Sequence, residues 1–294
     1  MRITDQMMFQ ASVVAADRAS QAEATAQSQV STGLQFIEPG DAPGTAGQAV
    51  IAQTTVERYT AIGADLSSAT ASLQTAGGAL TSISNELSKA QEVAEQLADS
   101  TYTAADRAAG AAQIGGIIST IVGQLNTQQG SQYLFGGTAN TAPPFDSSGN
   151  FHGNTQSISI EVAPGVEQDV SVNVAGVMSG TGGGANVLGA LQSLQTALNA
   201  NSTTGIQAAL DPLQTGIGAL ADAQATLGST QSVLNAATTA NSSALATAQT
   251  QASSLTSADV IDASSNLAST QQALQAALDA ASTSFQFNLL SQMK

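Results

Sequence analysis

Few side chains in this 294-residue sequence could do acid–base or nucleophilic chemistry, and those few stand apart. There is one histidine, His152, and no cysteine. Without a thiol there can be no disulfide, thiolate metal site or cysteine nucleophile. His152 lies in a Gly/Asn-rich stretch with no adjacent carboxylate or cysteine, so it reads as a surface residue rather than a ligand or base. Glu38 and Asp41 suggest paired carboxylates or a cation site, yet no third ligand type or base accompanies them. Gly180-Thr181-Gly182-Gly183-Gly184 lacks the Lys-Ser/Thr ending of a phosphate loop and reads as a flexible link. The sequence therefore offers no catalytic, cofactor-binding or metal residue and implies no cofactor. An enzyme is the weakest reading; a repeatable hydrolytic activity lost on mutating one Asp or Glu would revive it.

Bulk composition points the same way. Six basic against 21 acidic residues give a net charge of −15. Such a surface repels phosphate backbones and anionic lipid, so neither nucleic acid nor membrane is an expected partner. Aromatic residues are 3% and Trp is absent, which leaves Ala, Leu, Ile and Val to build the core. Met7 to Ala16 is interrupted by Gln10 and Ser12, with Asp5 where a secretory leader would be basic, so no cleaved signal peptide is expected. Ala108 to Gly123 is too polar and too short to be read as a membrane span, and the chain is expected to be soluble.

The elements available to position side chains are long helices. Ile206, Leu210, Leu213, Ile217, Leu220, Gln224, Leu227, Gln231, Leu234, Thr238, Asn241, Leu245, Ala248, Ala252 and Leu255 recur at alternating steps of four and three. That 3.5-residue period is the mark of a helix packed along its length on other helices. A second helix, from about Thr45 to Ser100, carries a matching seam from Ile62 to Leu97 and is its natural partner. Gly77-Gly78 interrupts that seam, where a close crossing or a bend could sit. Thr103 is a plausible N-cap, with Asp106 three positions later, for a third helix whose face holds Ala111, Ile114, Ile118, Ile121 and Leu125. Gly110, Gly115, Gly116 and Gly123 would let a neighbour approach it closely.

Residues 138–186 change to a period of two. Ile158, Ile160 and Val162, then Val170, Val172 and Val174, flank a turn at Ala163-Pro164-Gly165 and predict a β-hairpin. Helix resumes at Val187, breaks at Asn201 to Thr204, and meets Asp211-Pro212 either as a cap or as a kink. At the N-terminus, residues 3 to about 31 form a weak stripe of Ile3, Met7, Ala11, Val14, Ala15, Ala22, Ala26 and Val30, a helix that needs a partner. A connector from Ser31 to Gly44 follows, with Phe36 and Ile37 as its expected buried anchors. The last segment repeats Val260, Leu267, Leu274 and Ala281 by sevens, with Leu278, Phe285 and Leu289 extending the face. It carries so few charges that burial in an assembly, or against the N-terminal helix, is expected.

The fold class expected from these patterns is mainly α: an elongated rod of long antiparallel helices with paired terminal helices. Five segments follow. Residues 1–44 and 258–294 make a terminal assembly domain; 45–137 and 187–257 are the two halves of a helical rod; 138–186 is a small β-rich inserted outer domain.

At this point the chain resembles the flagellin superfamily, and within it the hook–filament junction group, hook-associated protein 3. The resemblance is carried by Met1-Arg2-Ile3-Thr4 and Gln6-Met7-Met8 at the start, and by Ser31-Thr32-Gly33 with Pro39-Gly40-Asp41 and Pro43 in the connector. It is carried further by Asp106-Arg107, by Gly130 with Tyr133-Leu134-Phe135-Gly136-Gly137-Thr138, by Pro144-Phe145, and by Gln272, Leu274, Leu278 and Leu289-Leu290. The connector departs from the family's more acidic run at Gly40-Asp41-Ala42, and the inserted domain is small.

The resemblance implies a flagellin-like fold and a structural subunit in a ring or helical assembly of itself between hook and filament. Its neighbours would be another hook-associated protein and flagellin. Export would use the flagellar type III apparatus and a chaperone on the C-terminal region, giving an extracellular, flagellar location. The assembly interface would use Ile3, Met7, Val14, Val260, Leu267, Leu274, Leu278, Phe285 and Leu289. The rival readings are flagellin itself and a secreted coiled-coil adhesin whose β insertion binds a ligand.

Overall fold

The computed structural model describes the backbone of residues 2–292 and the side chains of Met7 and residues 10–283. Seven α-helices dominate the described residues: α1 (Arg2–Thr32), α2 (Pro43–Leu97), α3 (Ala104–Leu125), α4 (Ala175–Ser179), α5 (Val187–Asn199), α6 (Thr203–Thr256) and α7 (Val260–Gln292). Two antiparallel ribbons accompany them, β1 (Gln128–Gln129) with β2 (Gln132–Tyr133) and β3 (Ser159–Ala163) with β4 (Val166–Asp169). The fold is mainly α, as the 3.5-residue periods require. At 55 residues, α2 alone is about 80 Å long.

The chain forms two compact units. One comprises residues 1–58 and 244–294, the other residues 59–243. Both boundaries fall inside the continuous helices α2 and α6 rather than at connectors.

In the unit of residues 59–243, α2 and α6 run antiparallel. A Cβ on Gly63 would meet the Asn241 amide, and one on Gly77 would lie 3.5 Å from Leu227 Cδ2. The seams read from the sequence meet here: Ile62, Leu66, Leu73, Leu80, Ile83 and Leu87 share one core with Ile206, Leu213, Leu220, Leu227 and Leu234. Helix α2 passes through Gly77-Gly78 unbroken, and the 3.5 Å spacing at Gly77 is ordinary van der Waals contact, so the pair marks neither a break nor an unusually close crossing.

Helix α3 starts where expected. The Thr103 hydroxyl accepts from Asp106 N, and the Asp106 carboxylate accepts from Thr103 N at 2.9 Å, a complete capping box. Among the described residues α3 is the one helix long and apolar enough to cross a membrane, contrary to the reading of residues 108–123. Its Ile114, Ile117, Ile118, Ile121 and Leu125 are instead buried in the core. Of its four glycines, Gly110 and Gly115 leave room for Leu97 and Gln195, whereas nothing approaches Gly116 or Gly123.

Three local expectations are corrected, and one pair of alternatives is resolved. The return strand of the hairpin is Val166–Asp169, not Val170 to Val174, because the Pro164-Gly165 turn is tight. Gly165 sits at φ +78°, and its N–H donates to Glu161 Oε1 at 2.7 Å. Val174 already caps α4. The glycine run at 180–184 is an ordered turn, a short 3₁₀ segment packed back on Gly176 and Asn186, not a flexible link. Of the two readings of Asp211-Pro212 the cap is excluded: Pro212 lies inside the continuous α6, which begins nine residues earlier at Thr203 with Ser202 Oγ accepting from Gly205 N. Ile37 is half exposed, so of the two expected connector anchors only Phe36 is withdrawn from solvent.

Candidate assembly interface

In the unit of residues 1–58 and 244–294, α1 and α7 pack against each other. The heptad-spaced positions withdrawn from solvent on α1 are Ser12, Ala16, Ala19, Glu23, Ala26 and Val30, with Ser28 and Gln29 also covered in its last turn; on α7 they are Ala263, Leu267, Thr270, Leu274, Ala277 and Ala281. Both sets alternate by fours and threes, so each helix presents one heptad seam. The seam is built mostly from small and polar residues, which an apolar count does not see. Only its spacing could have revealed Ser12, Ala16, Ala19, Glu23, Thr270 and Ala277.

Several large apolar residues lie off this seam. Met7 is 63% exposed, Val260 62% and Ile261 80%, and Val13, Val14 and Leu278 are exposed as well. Of the expected interface residues, Leu267 and Leu274 thus face the intramolecular seam, while Met7, Val14, Val260 and Leu278 point to solvent. The side chains of Ile3, Phe285 and Leu289 lie outside the described residues.

The two helices are stitched together at one end. Gly33 closes α1 in the left-handed conformation, φ +69°, with its N–H on Gln29 O at 2.9 Å. Leu34 then forms an antiparallel bridge with Ser257, bracketed by Gln35 N donating to Thr256 O at 2.8 Å and Ala258 N donating to Gly33 O at 2.9 Å. Thr32 Oγ1 accepts from Leu34 N, and Ser31 Oγ donates back to Ser28 O. So Ser31-Thr32-Gly33 acts as a helix stop whose exit strand pairs with the α6–α7 joint. Asp259 opens α7, its carboxylate accepting from Ile261 N at 2.8 Å. Glu38 and Asp41 hold only their own turn, the Asp41 carboxylate accepting from Glu38 N.

The other resemblance-bearing residues form a tight cluster in the unit of residues 59–243. Arg107 is 4% exposed. Its guanidinium donates to Leu97 O at 2.9 Å, to Asp99 O at 2.7 Å and to Asn201 Oδ1, so it caps the end of α2 and ties it to the α5–α6 break. Hydrogen bonds from Thr101, and secondarily the Arg107 charge, hold Asp99 below the usual carboxylate value; Thr103 does the same for Asp106.

Beyond α3, Asn126 clamps the backbone of Phe145 from both sides, donating to its carbonyl at 2.8 Å and accepting from its N–H at 3.0 Å. Phe135 and Phe145 are buried, and Phe145 meets Phe151 with ring centroids 5.2 Å apart. Tyr133 and Leu134 are half-buried beside them. Gly137, at φ +64°, and Gly136 make a turn against which Asn154 and Ala139 pack so closely that neither position has room for a Cβ. Asn126 and Asn154 were missed in the sequence because an asparagine that braces a backbone carries no spacing signal.

His152 has a carboxylate beside it after all. Its Nε2 lies 3.1 Å from Asp146 Oδ2. The same Asp146 accepts from Asn150 and Ser148, and the bonds from Asn150, then His152, and least Ser148 hold its carboxyl far below the ordinary range. The group is an exposed loop brace with every Asp146 oxygen engaged. Among the described residues no cluster of three potential metal ligands occurs.

Residues 3–140 match the bacterial flagellin N-terminal helical region. Flagellar hook-associated protein 3 of Salmonella typhimurium is 27% identical over 164 residues, 55% of this chain and 52% of that protein. Its Escherichia coli counterpart is 29% identical over 167 residues, with the same shares covered. The chain thus spans about half the length of the curated relatives it matches. In fold it is similar to a putative flagellar hook-associated protein from Vibrio parahaemolyticus, with a TM-score of 0.64 and 19% identity, covering 74% of this chain and all of that one.

Proposed function

We propose that this chain, related in sequence to hook-associated protein 3 and built on a flagellin-like mainly-α fold, is a structural subunit of the bacterial flagellum at the junction between hook and filament. The observation that carries the proposal is the division of labour in the terminal hairpin. Helices α1 and α7 pair within one chain through a seam made mostly of small residues around Val30, Leu267 and Leu274, while Met7, Val13, Val14, Val260, Ile261 and Leu278 are left facing outward. Burial of apolar surface at about 25 cal/mol per Å² drives association, and a repeated identical face builds rings or helices when copies associate head to tail. The role is that of a building block, not an enzyme. Neighbouring hook-associated protein and flagellin are its partners, and it reaches the exterior by flagellar type III export with a chaperone on its C-terminal region.

Electron microscopy of the purified protein, alone and with isolated hooks, tests this. A short cap on hook tips without growth in solution is the expected result. Long self-propagating filaments would instead assign the chain to flagellin, a reading that the match of residues 3–140 also accommodates. Failure to assemble under either condition would favour a secreted adhesin.

A further inference from the structure

Among the described residues, exposed large apolar side chains are unevenly shared between the two units. Val166 and Val233 are the two in the unit of residues 59–243; the other ten belong to the smaller unit of residues 1–58 and 244–294. Two of those ten lie on neither terminal helix nor the connector. They are Val50 and Ile51, successive residues near the start of α2, 66% and 69% exposed. On the same helix Ala46, Ala49 and Ala52 are buried, and their spacing by threes puts the aliphatic pair on the face turned away from them. Charge is missing from the same part of the molecule. No Asp, Glu, Lys or Arg occurs from Ala42 to Val56 or from Ala223 to Ala258, in a chain with 21 acidic and six basic residues. Around the pair the exposed helix positions are Gly47, Thr54 and Thr55. Both threonine hydroxyls are turned back on the helix, donating to Val50 O and Ile51 O at 2.9 Å each. Covering this face would therefore strand neither donor.

We propose that the charge-free face of α2 centred on Val50 and Ile51 is a docking surface for a second copy of this chain, so that contacts between copies extend beyond the terminal helices. Charge decides the occupant. Every copy carries the same net charge of −15, so two copies meet with least repulsion where charge is absent. A strongly basic partner would find no carboxylate on this face to pair with, and an acidic one no cation. Depletion of charged residues is also what marks the buried centre of an interface. Such docking presupposes that the chain is an assembling subunit.

The absence of cysteine permits single-site labelling of the full-length protein. Val50→Cys carrying a benzophenone maleimide is irradiated on isolated hooks and in concentrated solution, with Val233→Cys as the exposed apolar control in the other unit. Covalent dimers and higher ladders of the chain are expected from Val50→Cys, several-fold more than from Val233→Cys. Adding Ile51→Glu should leave circular dichroism and melting temperature unchanged, because Ile51 is exposed, and should cut the Val50→Cys ladder several-fold. Capped hooks without cross-links between copies, or with cross-links to a hook protein alone, would overturn the docking surface and leave the junction reading standing. Cross-links between copies without hook capping would do the reverse. Neither capping nor cross-links would overturn both. Equal yields from positions 50 and 233, or a ladder that Ile51→Glu leaves unchanged or strengthens, would also overturn the docking surface.

Discussion

The terminal hairpin and the α3–α5 region use heptad-spaced helices to opposite ends. Where α3 packs on α5, Ile114, Ile118, Ile121 and Leu125 meet Leu191, Leu194 and Leu198 in one buried core. Where α1 packs on α7, the seam is largely Ala, Ser and Thr, and Met7, Val260 and Ile261 remain outside. The lesson is that spacing tells which face of a helix is covered, while residue size tells how much stability that cover brings. At ~0.8 kcal/mol per buried methylene, replacing leucines by alanines along a seam removes most of the driving force. One region is therefore complete within the chain, and the other keeps apolar surface in reserve.

The comparison breaks most visibly if α7 is removed. A chain lacking residues 260–294 is expected to lose hook-tip assembly entirely in electron micrographs while keeping the helical circular dichroism of its middle helices. Normal incorporation would show that the exposed faces of the hairpin are dispensable.

Next in size, Arg107→Ala should destabilise the unit of residues 59–243 by about 2–4 kcal/mol, because two backbone carbonyls and the Asn201 amide lose a buried donor. The midpoint of urea unfolding would register it, and assembly of the folded fraction should persist. Ala26→Leu sharpens the contrast from the other side. Ala26 is fully buried, and overpacking there should weaken the hairpin by about 1–3 kcal/mol. Amide exchange should then accelerate in α1 and α7 and stay unchanged in α3 and α5.

The smallest effect is a pH dependence. Asp99 and Asp106 have lowered pKa values in the folded chain, chiefly from hydrogen bonds with Thr101 and Thr103. A depressed carboxyl contributes stability that is fully present above its unfolded pKa and is lost as pH falls through the folded value. The cap should therefore weaken below the ordinary value of 3.8, and Asp106→Asn should flatten that part of the acid-unfolding curve.

Much of this architecture was legible because periods of 3.5 residues survive any substitution that keeps the seam apolar. The α2 and α6 seams were readable in that way, and the Thr103–Asp106 cap from its residue types three positions apart. The α1–α7 seam was legible only in part. Leu267 and Leu274 stand out by size, whereas Ser12, Thr270 and Glu23 are covered because of where the helices cross. The second hairpin strand was misplaced since Val170, Val172 and Val174 alternate, whereas Val166–Asp169 holds a single apolar residue and is chosen by the turn geometry alone. The braces at Asn126 and Asn154, and the pairing of His152 with Asp146, depend on side chains folded back across 19, 16 and six residues, respectively. No local pattern announces such contacts.

The bridge between Leu34 and Ser257 also has a mechanical meaning. Its two flanking hydrogen bonds join the exit of α1 to the entry of α7. A force pulling both helices the same way displaces the joined strands together and leaves those bonds unloaded. A force on one helix alone slides one strand past the other and strains both bonds at once. The joint is compliant to common motion and stiff to differential motion, so the two ends of the chain behave as a single tether.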